Sequence, residues 1–459
     1  MSALSSSEEP LSGPRLTAFS AIMVTVAGAG FPLSAYLPAF YAQHHGIALA
    51  NVGLVFMLVR IVDTAWDPIV GHFSDSSSSR FGRRRIWIAA GLPIYVAATW
   101  AAFLPPAAAD AFYLFVVLVP LYGSWSMLQI PLYAWSGEIS GRYHERTRIQ
   151  TYLSVANALG LMLVLLVPAL LDQIGLGDQP TKVAAMGLFI IASAVIGGPL
   201  TLYAFRDCGP APDEQHPSLA QLRGILRDPL LLRVLASDFI VTFGQFARGT
   251  LMLFFFTQYM NLGAAASMLF LLQYSFGILA GPLWLRIGYR LGKHRALIAA
   301  ELLQAAVNFA LVFVTASTLW LLLLLLIGQG LTQGSGNLML RAILADVADK
   351  QRLETGSAHG GLLFSIFGLS MKAATAVAVG VVLPLVGWLG FDPGGANGAE
   401  ALFSLKCVFA FVPAAAHVVA AVLMLSFPLD EKRHGEIHGA LARRGQQAGP
   451  RSDLSIPLA

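Results

Sequence analysis

The sequence predicts an all-α membrane protein of twelve transmembrane helices, built as two related six-helix halves, and three observations carry that prediction. Of the 459 residues, 56% are hydrophobic and only 12% charged, against roughly 25% charged in an average soluble domain, which excludes a water-soluble globule. A mean hydropathy of +0.68 is too high for one anchor on a soluble body and requires apolar segments along most of the chain, with room for about twelve spans. A charged loop pattern in the first half also recurs in the second. Two cysteines, Cys208 and Cys407, exclude a disulfide framework and any multi-cysteine metal site. The net charge of +4 needs no nucleic-acid partner, because positive residues concentrated on one side of a bilayer explain it.

The elements follow in order. The first fourteen residues have two glutamates, no basic residue and no apolar core, so residues 1–16 read as a polar tail and not as a signal peptide. Apolar runs recur at 17–42, 49–73, 86–104, 111–136, 149–171 and 182–205. A hydrophilic stretch, 206–230, divides the chain. Six more runs follow at 231–260, 264–288, 296–316, 318–340, 357–388 and 400–427, and 428–459 is a second polar tail. Each run is long enough, at ~1.5 Å per residue, to cross ~30 Å of hydrocarbon. Of the 29 Lys and Arg residues, 24 fall in the tails and in the loops after even-numbered spans. The positive-inside rule therefore predicts an inner (plasma) membrane protein with both termini cytoplasmic.

The segment Gly71 to Arg85 lies over Gly281 to Arg295 at a constant offset of 210, with Gly71/Gly281, Arg80/Arg290, Gly82/Gly292 and Arg85/Arg295 coinciding. Gly137-Glu138-Ile139-Ser140 lies over Ala345-Asp346-Val347-Ala348 at an offset of 208. Two halves of the same orientation are the plan of rocker-switch transporters, whose binding site lies between the halves near the bilayer midplane. Candidate gate residues in these loops are Asp75, Arg80, Gly82, Arg83, Arg290, Gly292 and Arg295.

Three basic residues, Arg60, Arg248 and Lys372, fall well inside predicted spans, away from their ends. In the second span Arg60, Asp63 and Asp67 are spaced i, i+3, i+7, which puts them on one helical face. An ionisable group at bilayer depth costs ~2.5 to 3.5 kcal/mol on insertion scales, so that face must turn inward. Two carboxylates a turn apart repel unless a cation joins them, which is what a coupling site for Na⁺ or a proton requires; the alternative reading is a fixed salt-bridge set. Pro68 removes a backbone hydrogen bond beside the pair. Lys372, about fifteen residues into the eleventh span, makes a neutral set of four with Arg60 and the two aspartates, as competitor for the ion or as its placeholder. Arg248, with Asp238 ten residues earlier, belongs to the seventh span and is a candidate for substrate contact or structural pairing, as is Gln273 of the eighth for substrate. Glu301 of the ninth reads as structural.

At the second span the sequence resembles the glycoside–pentoside–hexuronide:cation symporters, the melibiose permease branch of the major facilitator superfamily. The carrying residues are Arg60-Ile-Val-Asp63-Thr-Ala-Trp-Asp67-Pro68-Ile-Val-Gly71, Arg80-Phe-Gly82-Arg-Arg-Arg85, Leu344-Ala-Asp346-Val-Ala-Asp349, Gly356 and Lys372. The resemblance implies the major facilitator fold, Asp63 and Asp67 as cation-site carboxylates, Lys372 as their basic neighbour and Ser126 as a hydroxyl ligand. It also places Gln129 and Tyr133 where the melibiose permease has a sugar-binding Asp and a stacking Trp. The first span has no acidic residue where that permease has another sugar-binding Asp, and Ser154 falls where its fifth has an Arg. The coupling machinery thus looks retained and the solute pocket rewritten.

No Walker loop or dinucleotide fingerprint is present, so ATP is not the energy source expected in this chain. His434 and His438 lie in the polar tail without the His-Glu-x-x-His order, and His44-His45 reads as a solvated loop pair. The expectation is a cation-coupled symporter, functional as a monomer in the lipid bilayer, with no cofactor beyond the coupling Na⁺ or H⁺, no nucleic-acid partner and a small sugar or glycoside-like solute. A lysolipid or other amphiphile carrier is the alternative within transport. A membrane-embedded enzyme or non-transporting sensor is the alternative outside it, and it lacks a nucleophile and base constellation.

Overall fold

The computed structural model describes residues 11–77, 79, 81–140, 143–205, 227–355, 360–429 and 431–447. Twelve helices among these residues are long and apolar enough to cross a membrane. They are α1 (Gly13–His44), α2 (Leu49–Ser76), α3 (Arg83–Phe103), α4 (Ala111–Glu138), α5 (Glu145–Gln173), α6 (Gln179–Ala204), α7 (Pro229–Tyr259), α8 (Ala266–Leu291), α9 (Lys293–Phe313), α10 (Leu319–Glu354), α11 (Leu362–Trp388) and α12 (Ala399–Met424). A thirteenth, polar helix, α13, spans Glu431–Gln447.

Helix starts are set by local chemistry. Asp110, Asp178 and Asp228 each cap a helix by accepting from the backbone N–H of Tyr113 at 2.8 Å, Thr181 at 3.1 Å and Leu230 at 2.9 Å, which satisfies donors that have no partner inside the helix. The first helix of each half widens to a π-helical turn, Pro32–Tyr36 in α1 and Phe255–Tyr259 in α7, so the internal repeat extends to an uncommon backbone form.

Within the halves α1 packs on α5 and α6, α3 on α4, α7 and α9 on α12, and α8 on α10; α2 with α11 and α5 with α8 join the halves. The α2–α11 contact is tightest on the side away from the basic loops. A Cβ added at Gly53 would sit 2.8 Å from Pro384 Cδ, and one at Gly380 2.7 Å from Met57 Cβ. On that side Phe31 of α1 packs against Phe270 and Tyr274 of α8 at ring separations of 4.8 and 5.1 Å, and the Tyr36 hydroxyl lies 3.2 Å from Ser267 Oγ. The halves are therefore closed together at the face opposite the basic loops.

Several boundaries differ from the sequence expectation. The tenth span does not end near 340 but continues as helix to Glu354, broken at Gln333–Gly334, where Gly334 has φ +76°. The last polar segment contains a helix rather than a plain tail, and His434 in it lies 3.1 Å from Asp346 Oδ1. Lys182, the first residue of the expected sixth run, is buried one turn inside α6 and paired with Asp172 at 2.5 Å. His44 and His45 stack on Phe40 and Tyr41 at 5.4 and 5.2 Å; His44 is exposed, as expected, and His45 half-buried.

Gly82 and Gly292 are the N-caps of α3 and α9, with φ +105° and +82° and ψ near 150°, a region open essentially to glycine alone. Gly292→Ala is expected to cost about 1 to 3 kcal/mol in thermal unfolding of the purified protein. Gly435→Ala, in the exposed α13 with nothing within 4 Å, is expected to be neutral or stabilising by up to about 1 kcal/mol.

Candidate functional site

The charges expected to meet do meet, halfway along α2 and across the boundary between the halves. Asp63 is 3% exposed. Its Oδ2 lies 2.9 Å from Lys372 Nζ of α11, and Asp67 Oδ2 lies 2.5 Å from the same nitrogen. Ser126 of α4 brings its hydroxyl to both carboxylates, 2.9 Å from Asp63 Oδ1 and 2.7 Å from Asp67 Oδ1, and stands 3.5 Å from the ammonium. A serine has one hydrogen to donate, so it serves one carboxylate fully only when the other is satisfied elsewhere. The ammonium does that from the opposite side.

Arg60 Nη1 approaches Asp63 Oδ2 at 3.6 Å, and its guanidinium carbon lies 4.3 Å from the Tyr122 ring centre and 5.7 Å from that of Trp125. The aromatic faces hold the cation beside the carboxylate. Tyr122 and Trp125 escaped the sequence reading, although Tyr122 stands one turn before Ser126 on the same helix. The four charges sum to zero, which answers the cost of placing them at this depth.

Gln129 and Tyr133 continue the Ser126 face of α4 at i+3 and i+7. The Tyr133 side chain is 44% exposed. Arg248 and Gln273 form a separate group. Arg248 is buried next to Tyr274, and neither its Nε nor its Nη1 has a hydrogen-bond partner among the described residues. Gln273 donates to Gln333 Oε1 at 2.9 Å while its own Oε1 is unpartnered among them. No hydrogen bond or ion pair among the described residues links this group to Asp63, Asp67 or Lys372.

The gate loops form ion clusters. Arg83 Nη2 and Arg84 Nη2 reach Glu138 Oε1 at 2.7 and 2.9 Å, and Arg84 also pairs with Asp75. In the second half Lys293 Nζ reaches Asp346 Oδ1 at 2.7 Å. Lys293 stands at the position of Arg83 and Asp346 at that of Glu138 under the two sequence offsets, so the repeat is carried by equivalent ion pairs. Glu138, Lys293 and Asp346 were not among the candidate gate residues, although the offsets pointed to them and Asp346 belongs to a segment that carries the family resemblance. Arg290 and Arg295 are exposed and make no ion pair among the described residues. Arg80 lies outside the described residues.

Comparison with known proteins agrees with this architecture. Residues 18–431 match the profile of the family described as MFS/sugar transport protein. The chain is 26% identical over 436 residues to the uncharacterized symporter YnaJ of Bacillus subtilis, covering 90% of this chain and 91% of that one. It is 23% identical over 417 residues to the glucuronide carrier protein homolog of Escherichia coli, covering 88% and 89%. The solved structure of the nucleoside transporter NupG superposes with a TM-score of 0.64 at 11% identity, over 91% of this chain and 100% of that one. With the profile running through both halves and full-length symporter relatives, the chain is a multi-pass membrane transporter and belongs to the MFS/sugar transport protein family, in its glycoside–pentoside–hexuronide:cation symporter branch.

Proposed function

We propose that the protein is a cation-coupled symporter that moves a sugar- or glycoside-like solute by alternating access, with Na⁺ or a proton held between Asp63 and Asp67. One observation carries this reading: Lys372, on the second half, sits with its ammonium between the two carboxylates of the first half. That ammonium is the placeholder for the ion. When the ion enters, with Ser126 as hydroxyl ligand, the aspartates exchange a tie between the halves for a charge held within one half. Lys372 is released and the halves are free to rock. The ion thereby biases which face opens by binding one conformation better than the other.

The solute lies between the halves against the α4 face of Gln129 and Tyr133 and the α7–α8 group of Arg248 and Gln273. Unpartnered polar groups at Arg248 and Gln273 suit a hydroxyl-rich solute and not a purely apolar one, since each buried polar group without a partner costs about 1 to 3 kcal/mol. The basic loops and both termini face the cytoplasm, with 24 of 29 basic residues in support. The Arg83–Glu138 and Lys293–Asp346 pairs join helix residues beside those loops and act as cytoplasmic latches.

Proteoliposomes with and without an imposed Na⁺ or proton gradient test the coupling. Asp63→Asn and Asp67→Asn are each expected to lower gradient-driven accumulation on the order of a hundredfold, equivalent to about 3 kcal/mol of a buried charge interaction; undiminished accumulation sinks the assignment. Lys372→Ala removes the competitor, so coupling-ion affinity is expected to rise about tenfold, the worth of one like charge acting at close range. Unchanged ion affinity and unchanged transport would exclude the placeholder role. Arg248→Gln is expected to raise the solute KM about tenfold while the apparent ion affinity stays put, an outcome read from uptake at varied solute and ion concentrations.

A further inference from the structure

Four helices of the second half bring together a second set of titratable side chains, none of them part of the α2–α11 set. Glu301 of α9 and His417 of α12 are both 0% exposed, with His417 Nδ1 2.6 Å from Glu301 Oε2. Asp238 of α7, also 0% exposed, accepts from Asn337 Nδ2 of α10 at 3.0 Å, and the same amide reaches Thr242 Oγ1 at 3.2 Å. Glu301 is close enough to act electrostatically on Asp238. The far atoms of all three groups, His417 Nε2, Glu301 Oε1 and Asp238 Oδ2, have no hydrogen-bond partner among the described residues.

Among the described residues no Lys or Arg forms an ion pair with them. On α7 Arg233 is committed to the carbonyls of Leu423 and Leu425, and the buried Arg248, one turn beyond the Gly244 that faces His417 Nε2, makes no ion pair among the described residues. On α10 Arg341 acts on Asp238 but is itself exposed. On α9 Lys293 is held by Asp346, and on α12 Lys406 lies over the Tyr259 ring at 5.0 Å. On α11 Lys372 is engaged by Asp63 and Asp67. With both acids ionised and the imidazole neutral, two negative charges would be sealed inside a membrane protein at a cost of several kcal/mol each. A proton on the Glu301–His417 pair makes that pair neutral overall, as imidazolium with carboxylate or imidazole with carboxylic acid.

We infer that Glu301, His417 and Asp238 form a proton-binding site of the second half, separate from the cation pair of α2, whose proton keeps the broken α10 seated on α9. The break at Gln333–Gly334 brings Gly336 so close to Glu301 that a Cβ there would overlap its Oε1. Beyond the break, α10 carries Asn337 against Asp238 and Asp346 against Lys293. Losing the proton adds a negative charge where α7, α9 and α10 meet and pushes these contacts apart. Protonation at Glu301 and His417 is thereby linked to the Lys293–Asp346 pair at the basic face, and the transporter gains a pH response that does not depend on the driving ion.

The test uses the full chain in lipid nanodiscs carrying Asp63→Asn and Asp67→Asn, so that the α2 carboxylates no longer titrate. Thermal unfolding is followed from mildly acidic to mildly alkaline pH. The expected result is a folding constant that falls by up to about tenfold per pH unit on the alkaline side, the signature of one proton bound in the folded state. Adding Glu301→Gln, which supplies a neutral group of the same shape, is expected to flatten that fall. A flat profile in the Asp63→Asn, Asp67→Asn chain overturns the proposal, as does a fall that survives Glu301→Gln. Where Glu301→Gln yields no folded protein, His417→Gln is read by the same two criteria. Because the α2 carboxylates are already gone, the outcome is independent of whether they hold the driving ion.

Discussion

The contact on which the rest of the structure depends is the one between Lys372 and the paired aspartates of α2. Charge inside a bilayer protein is expensive enough that it persists only where it is matched, and here the match is made across the boundary between the halves. Asp63, Asp67 and Arg60 come from the first half and Lys372 from the second, so the electrostatic debt of one half is settled by the other. Any change in the occupancy of the aspartates is therefore also a change in what holds the halves together. Ser126 and the rings of Tyr122 and Trp125 set the geometry of that contact by holding the carboxylates on one side and the guanidinium on the other.

The second constraint is duplication. Gly82 and Gly292 occupy the same backbone region at equivalent places, and Arg83–Glu138 and Lys293–Asp346 are equivalent ion pairs at the basic face. The halves have diverged in their interiors. Around α2 and α4 the first half spends its buried charge on the aspartates, whereas the second buries Asp238, Glu301 and His417 among α7, α9, α10 and α12. Equivalent ends with unlike interiors mean that the halves share a scaffold but not a pattern of buried charge.

Much of the candidate site was legible because charge is scarce in this chain. Arg60, Asp63, Asp67 and Lys372 stand out from an apolar background, and helical periodicity alone aligns the three on α2. The solute side was less legible. Gln129 and Tyr133 came only from the resemblance to the melibiose permease branch, and nothing local distinguishes Arg248, with two nitrogens unpartnered among the described residues, from an arginine satisfied by a distant carboxylate. Glu301 shows why: its position near a helix end suggested a plain structural acid, and only the approach of His417, 116 residues away in sequence, makes it half of a buried acid–imidazole pair.

By itself the sequence determined the solvent of this protein, the number of its spans, the doubled architecture and the charges that must turn inward, because hydrophobic length, loop charge and helical period are properties of short stretches. Tertiary structure decided which inward charges meet, where α10 breaks, that the halves close on the face opposite the basic loops, and which buried polar atoms are left without partners. Those outcomes depend on how helices distant in the chain pack against one another. In a membrane core, where water cannot satisfy a stray polar group, that packing is what separates a paired charge from one waiting for a ligand or a proton.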